Sequence, residues 1–174
     1  MSQPAKLKGR ERAGSLLVAG VLLASLAPFL PQIAARAGSV SFDGPNWVLW
    51  AELSWVVQLH IIAALSALAI GTVILVRPKG RGLHRVLGWS WVAAMGTTAI
   101  SSLFITGLNG DFYSFLHLIS GWTIVALPMA VFAIRNRKVE THRRAMTGMF
   151  VGGILVAGAL TFIPGRFMFE FFFG

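Results

Sequence analysis

Long apolar blocks, separated by short polar and basic segments, run along most of the chain. A helix needs about 20 consecutive apolar residues to cross the hydrocarbon core of a bilayer, so blocks of this length predict transmembrane helices. Five blocks qualify, and they extend from Gly14 to Ala35, Ala51 to Val76, Leu83 to Leu108, Phe112 to Ile134 and Ala145 to Ile163. The pattern predicts an all-α integral membrane protein of five transmembrane helices.

The first block has a second interpretation, as a secretory signal peptide. Basic residues precede it, and Ala35-Arg36-Ala37 resembles a cleavage site. Its apolar stretch of about 20 residues is longer than the 7–15 residues usual in a signal peptide, which favours a retained helix. Pro28 and Pro31 are expected to kink or end this helix near the outer face.

The distribution of arginine and lysine predicts the orientation of the helices. Thirteen of the 15 basic residues lie in the N-terminal tail or around the segments that follow the second and fourth blocks. Only Arg36 and Arg166 lie on the other side, so the N-terminus is predicted in the cytoplasm and the C-terminus outside. The chain then divides into a basic tail (1–13), a peripheral helix (14–35), a four-helix core (51–166) and an interfacial aromatic tail (167–174).

Composition agrees with a membrane protein and excludes several kinds of site. Hydrophobic residues make up 56% of the chain and charged residues 12%, about half the charged fraction of a soluble domain. The absence of cysteine excludes disulfides, zinc–thiolate sites and iron–sulfur clusters. The net charge of +9 is explained by the basic loops, so the expected partner is the lipid bilayer and not nucleic acid.

Four histidines are distributed one to each of the last four helices. His60 and His84 are 24 residues apart, His117 and His142 are 25 apart, and arginine follows the later histidine of each pair. This spacing favours two copies of one helical hairpin, packed around an axis along the membrane normal. The arrangement would bring His60 toward His117 near the outer side, and His84 toward His142 at the inner boundary.

His60 and His117 are the only ionisable residues expected deep within the predicted spans. Ionisable side chains inside a membrane are costly and mark function by default. The alternative is that the two histidines are hydrogen-bonded packing contacts between helices. His84 and His142 lie at the boundary, where water or lipid headgroups can also satisfy them.

Facing histidine pairs favour a haem site, because haem iron takes axial histidines and helix bundles hold cofactors between facing helices. Small residues follow three of the histidines by four positions, at Ala64, Gly88 and Gly121, which leaves room for a flat ring. Arg85 and Arg143 are candidate contacts for haem propionates. A bare zinc or copper site is disfavoured, since two histidines provide half of a tetrahedral shell.

The segment from His60 to Arg166 resembles a family of small bacterial membrane proteins designated domain of unknown function 2306. The resemblance rests on three motifs: Leu83-His84-Arg85-Val86-Leu87-Gly88-Trp89, Thr141-His142-Arg143-Arg144-Ala145-Met146 and Ile163-Pro164-Gly165-Arg166. It implies a multi-pass protein of the bacterial cytoplasmic (inner) membrane, and it implies no activity.

The histidine layout is also similar to that of the ascorbate-reducible di-haem cytochrome b family, in which four consecutive helices each give one haem ligand. That resemblance implies one or two b haems, with His60 paired with His117 and His84 paired with His142. All four histidines would bind metal only through the haem iron. The chain departs from that family in its shorter histidine spacing and in having the inner pair at the membrane edge.

Two functions remain open. The first is electron transfer across the membrane with a quinone or another redox partner, and Gln58, Ser120 and Thr123 are then candidate hydrogen-bonding neighbours of the ligands. The second is a cofactor-free protein, either a small transporter or an accessory subunit of a larger membrane complex. A membrane hydrolase is disfavoured, because Ser101 and Ser102 have no assigned base. Whether the chain is an enzyme is left open.

Overall fold

The computed structural model describes residues 30–36, 41–80, 82–105 and 115–174. Every regular element in these residues is a helix, which confirms the predicted all-α class. The first predicted span, from Gly14 to Ala35, lies outside the described residues except for its end, where helix α1 covers Leu30–Arg36. The described residues form two compact units, one of Trp47–Ala159 and one that joins Leu160–Gly174 to the described residues up to Asn46.

The remaining helices follow in chain order, and helical backbone is continuous from residue 139 to residue 160. They are α2 (Trp47–Ala51), α3 (Trp55–Val76), α4 (Gly82–Ser102), α5 (Phe115–Arg135), α6 (Val139–Met149), a π-helical segment (Phe150–Val156), α7 (Ala157–Leu160) and α8 (Phe167–Phe173).

Two helices among the described residues are long and apolar enough to cross a membrane. They are Trp55–Val76, with 22 residues, and His117–Arg135, with 19. At 1.5 Å per residue these lengths correspond to about 33 Å and about 28 Å, close to the thickness of a hydrocarbon core. Only 17% and 22% of their most apolar windows are buried, whereas the core helix of a soluble protein is mostly buried. The five-span topology and its orientation stay predictions.

Local sequence signals explain where α3 begins and ends. Its first turn is capped by Ser54, whose side chain accepts a hydrogen bond from the Val57 amide at 3.5 Å. The helix ends where Arg77 adopts an extended backbone before Pro78, which cannot continue a helix. The turn to α4 then uses Gly80 at φ +84°, a conformation that favours glycine.

The last long helix begins at Val139, six residues before the predicted start at Ala145. The added turns are polar, and Glu140 contacts Arg143 at 2.8 Å and Arg144 at 2.6 Å. Such pairs at spacings of three and four support a helix even where no apolar pattern predicts one.

The four long helices of the Trp47–Ala159 unit form a ring in sequence order. The short links make α3 with α4, and α5 with α6, antiparallel hairpins. Helix α4 packs against α5, and the π-helical segment closes the ring by packing against α3. The buried core at the centre consists of Ala67, Trp91, Met95, Leu127, Ala130, Met149, Phe150 and Ile154.

The core is tightest where Phe150, at the start of the π-helical segment, meets Gly71 of α3. A Cβ atom at Gly71 would lie 2.5 Å from the Phe150 Cδ2 and Cε2 atoms and 2.8 Å from Trp91 Nε1. Met95 fills the space above Gly153, where a Cβ would lie 2.7 Å from its Cε atom. The helix widens at this contact, and π-helical turns of this kind are frequent at functional sites.

The other unit contains a cluster of phenylalanines. The backbone of residues 41–46 is hydrogen-bonded to α8. The Asp43 amide donates to the Phe172 carbonyl at 3.0 Å, and the Asn46 amide donates to the Phe171 carbonyl at 2.9 Å. The Phe42 ring stacks on Phe172 with a centroid distance of 6.1 Å. The predicted aromatic tail is therefore a helix, and its interfacial position stays a prediction.

Candidate functional site

The four histidines lie in pairs toward opposite ends of the helix ring. His60 and His117 are near the starts of α3 and α5, and His84 and His142 are near the starts of α4 and α6. Three of them precede a core residue by seven positions: His60 before Ala67, His84 before Trp91 and His142 before Met149. Residues seven apart lie on nearly the same face of a helix, so these three backbone positions face the interior of the ring.

His60 is held by α4. Its Nδ1 atom lies 3.0 Å from the Thr98 carbonyl oxygen and 3.1 Å from Ser101 Oγ. The Ser101 hydroxyl donates in turn to the Thr97 carbonyl at 2.6 Å. Because α3 begins at Trp55 and not at the predicted Ala51, His60 is five residues into its helix and less deep than predicted.

His142 is held in the same way by the other hairpin. Its Nδ1 atom lies 2.9 Å from the Ala130 carbonyl oxygen of α5. In both hairpins, a backbone carbonyl of one helix therefore fixes the ring of a histidine on the neighbouring helix.

These contacts determine the tautomer of both histidines. A carbonyl oxygen only accepts hydrogen bonds, so the nitrogen that faces it carries the proton. His60 and His142 are therefore Nδ1–H donors, and in the neutral ring Nε2 keeps its lone pair. Histidines that ligate a metal commonly donate their other ring N–H to a carbonyl or carboxylate, which fixes the ring and raises the basicity of the ligating nitrogen.

The inner pair lies at one end of the helix ring. His84 lies within electrostatic range of His142 and of Lys79. It also lines a cavity of about 260 Å³ at the start of α4. His84 therefore has basic neighbours and borders an open space.

The other pair is placed differently. His60 bonds to α4, while His117 is half-buried near the start of α5 with its Nε2 atom fully enclosed. One turn after His117, Ser120 accepts a hydrogen bond from Ser102 of α4 at 2.5 Å. Hydroxyl groups of α4 thus contact both His60 and the first turns of α5.

Two glycines leave open space beside histidines. None of the described residues lies within 4 Å of the position that a Cβ would take at Gly88 or Gly121. A helical side chain leans over the turn that precedes it, so a larger residue at these positions would cover His84 and His117. Both glycines are half-buried, and no neighbouring side chain fills either position.

The two candidate propionate contacts differ. Arg85 is exposed near the start of α4, whereas Arg143 is engaged with Glu140. Hydrogen bonds from Arg143 and from Arg144 lower the pKa of Glu140, and the same contact raises the pKa of Arg143. The carboxylate neutralises part of the charge that a propionate would meet at Arg143.

Ser101 and His60 are the residue types of a catalytic serine–histidine dyad, but their hydrogen-bond donor and acceptor roles are not those of such a dyad. A general base must direct a lone pair toward the hydroxyl, but His60 Nδ1 carries a proton, and the Ser101 hydroxyl donates to the Thr97 carbonyl. The expectation that these hydroxyls do not form a hydrolase site therefore stands.

The partners of His60 are Thr98 and Ser101, whereas the sequence pattern pointed to Gln58, Ser120 and Thr123 as neighbours of the histidines. Gln58 bonds to the carbonyls of Trp50 and Leu53 instead. Counting residues from the turn along both helices of the hairpin would have identified the level of Thr98 and Ser101. His60 lies 16 residues before the end of α3 and Thr98 lies 16 residues after the start of α4, so an antiparallel hairpin places them at one level.

The described residues contain no group of three or more His, Asp or Glu side chains that could hold a metal ion. Histidine pairs without a third ligand fit a metal whose other ligands come from a cofactor, as in bis-histidine haem.

Comparison with known families gives one match. The model of DUF2306, described as a predicted membrane protein, matches residues 57–173. This range includes all four histidines and every helix from the early part of α3 to α8. No curated protein and no solved structure matches the chain.

Proposed function

We propose that this chain, which belongs to the DUF2306 family of predicted membrane proteins, is a transmembrane b-type haem protein that carries electrons across the membrane. In this proposal, His60 pairs with His117 and His84 pairs with His142 as axial ligands. A quinone or another small redox partner exchanges electrons with the protein.

The observation that carries the proposal is the fixed tautomer of two histidines in separate hairpins. His60 donates from Nδ1 to the Thr98 carbonyl, and His142 donates from Nδ1 to the Ala130 carbonyl. Each bond fixes a ring and leaves Nε2 as the metal-binding atom. Both hairpins therefore hold a histidine through the same ring nitrogen.

The surrounding residues support the two levels in different ways. At the level of His84 and His142, the histidines are within electrostatic range of each other, and Gly88 leaves space beside His84. At the level of His60, the Ser101 hydroxyl of α4 lies 3.1 Å from the ring, and Gly121 leaves space beside His117. When bound, haem supplies a reversible one-electron couple, while the protein sets its potential through burial and hydrogen bonds to the ligands.

Absorption spectroscopy tests this proposal directly. The full chain, purified from haem-replete cells, is expected to show a Soret band that shifts on reduction. His60→Ala and His142→Ala should each weaken the band. Gln58→Leu is the matched control, because it removes a polar side chain two residues from His60 on the same helix. A colourless preparation that is folded by circular dichroism would refute the proposal.

A second candidate is a cofactor-free membrane protein, such as a small transporter or an accessory subunit of a larger complex. The packed centre favours it, because Trp91, Met149 and Phe150 fill the space between the two histidine levels. The enclosed Nε2 atom of His117 favours it as well. A variant that lacks all four histidines and keeps wild-type stability would support this candidate.

A further inference from the structure

A cavity of about 260 Å³ lies at the connected end of the α3–α4 hairpin, between the end of α3 and the start of α4. This volume is just below the range of about 300–1,000 Å³ typical of small-molecule sites. Ile74 of α3 and the two residues that follow the helix, Arg77 and Pro78, line one side, and the start of α4 contributes Leu83, His84 and Leu87. Most of the wall is therefore apolar, and its polar groups are a guanidinium and an imidazole.

The cavity lies at the end of a candidate membrane span. Ile74 lies just before Val76, the last residue of the candidate span Trp55–Val76, and Arg77 and Pro78 follow it. A bilayer crossed by this helix would have its lipid headgroups at this level. Leu83 and Leu87 are one helical turn apart and present apolar surface along α4. An acyl chain can lie against these leucines while its headgroup reaches Arg77.

The charges at this end of the ring favour an anion. Among the described residues, no carboxylate lines the cavity and none forms an ion pair with Arg77. Lys79 lies within electrostatic range of His84, while its Nζ atom donates to the Leu75 carbonyl at 2.8 Å. Glu140, at the start of α6 at the same end of the ring, is engaged by Arg143 and Arg144.

We propose that this cavity binds the phosphate of an anionic phospholipid, with Arg77 as the cationic contact and an acyl chain against Leu83 and Leu87. Basic pockets between transmembrane helices at the membrane boundary are suited to phospholipid headgroups. The apolar walls favour a lipid over a free phosphate, which has no chain to bury. The site goes beyond the proposed electron transfer and does not require bound haem.

Lipid binding can be measured on the full chain purified in detergent and stripped of lipid. Phosphatidylglycerol should raise the temperature of unfolding more than phosphatidylcholine does, and native mass spectrometry should detect the retained lipid. Arg77→Gln should weaken phosphatidylglycerol binding about fivefold, the effect of one basic residue near a membrane surface. Arg135→Gln is the matched control, since Arg135 ends α5 at the same end of the ring and does not line the cavity.

A second variant decides the outcome if Arg77→Gln fails to fold. Leu87→Trp keeps every charge and fills the cavity, so it should also lose the preference for phosphatidylglycerol. Equal weakening by Arg135→Gln, or unchanged binding in Leu87→Trp, would overturn the proposal. Equal protection by inorganic phosphate would assign the site to a free anion instead. Arg77→Gln leaves the histidines intact, so the absorption spectrum reports on haem independently.

Discussion

Replacement of Gly71 by alanine tests the packing of the helix ring at its tightest point. The new Cβ would lie 2.5 Å from two ring atoms of Phe150 and 2.8 Å from Trp91 Nε1. Both neighbours belong to the buried core, with exposures of 6% for Phe150 and 4% for Trp91. Neither ring has a flexible end that can turn aside, so the helices must shift.

The magnitude follows from two opposing effects. Overpacking of a filled core typically costs about 1–3 kcal/mol. Alanine is preferred to glycine in a helix by about 1 kcal/mol, which offsets part of that cost. Because the clash involves two rings, the upper part of the range applies, and a net loss of about 1–2 kcal/mol is expected. For a chain of this size, this loss lowers the unfolding temperature by about 2–8 °C.

The assay is thermal unfolding of the purified protein in detergent, followed by tryptophan fluorescence or circular dichroism. Gly148→Ala is the matched control, because none of the described residues lies within 4 Å of its added Cβ. That control should be neutral or slightly stabilising. Equal unfolding temperatures for Gly71→Ala and Gly148→Ala would refute the inference that Phe150 and Trp91 close the ring against α3.

Three further predictions concern the π-helical segment, the histidine environment and the start of α6. Gly153→Ala should lower the unfolding temperature less than Gly71→Ala does, because the atom that the new Cβ meets is the flexible end of Met95. Gly152→Ala should be neutral, and thermal unfolding of the three variants measures this order. In the haem proposal, Ser101→Ala should keep the Soret band and change the midpoint potential of the haem, because His60 loses a hydroxyl contact and keeps its carbonyl partner. Potentiometric titration measures this potential, and an unchanged value would refute the prediction. Glu140→Gln should destabilise the helix start at pH 7. The native pKa of Glu140 is lowered, so its contribution is present above about pH 4.3 and lost as pH falls further; wild type and variant should converge in acid.

The site was only partly predictable from sequence. The four histidines stand out because so few other ionisable residues occur in apolar blocks. Their spacing predicts the pairs His60–His117 and His84–His142, and both pairings stay predictions. The carbonyl partners were not predictable from residue type, because every residue offers a backbone carbonyl and only helix register selects Thr98 and Ala130. The start of α6 was misjudged at Ala145 because its added turns are held by ion pairs and not by an apolar pattern.

Local sequence is enough to predict the all-helical class, the approximate positions of the long helices in the described residues and the concentration of basic residues around two of the turns. These follow from local chemistry, since an apolar run of bilayer length forms a helix in any packing arrangement. Contacts between helices establish which helices are neighbours and which nitrogen of each anchored histidine carries the proton. They also place Phe150 against Gly71 and open the cavity beside Arg77. These features depend on contacts between residues distant in sequence. Composition and the periodicity along one helix do not predict such contacts.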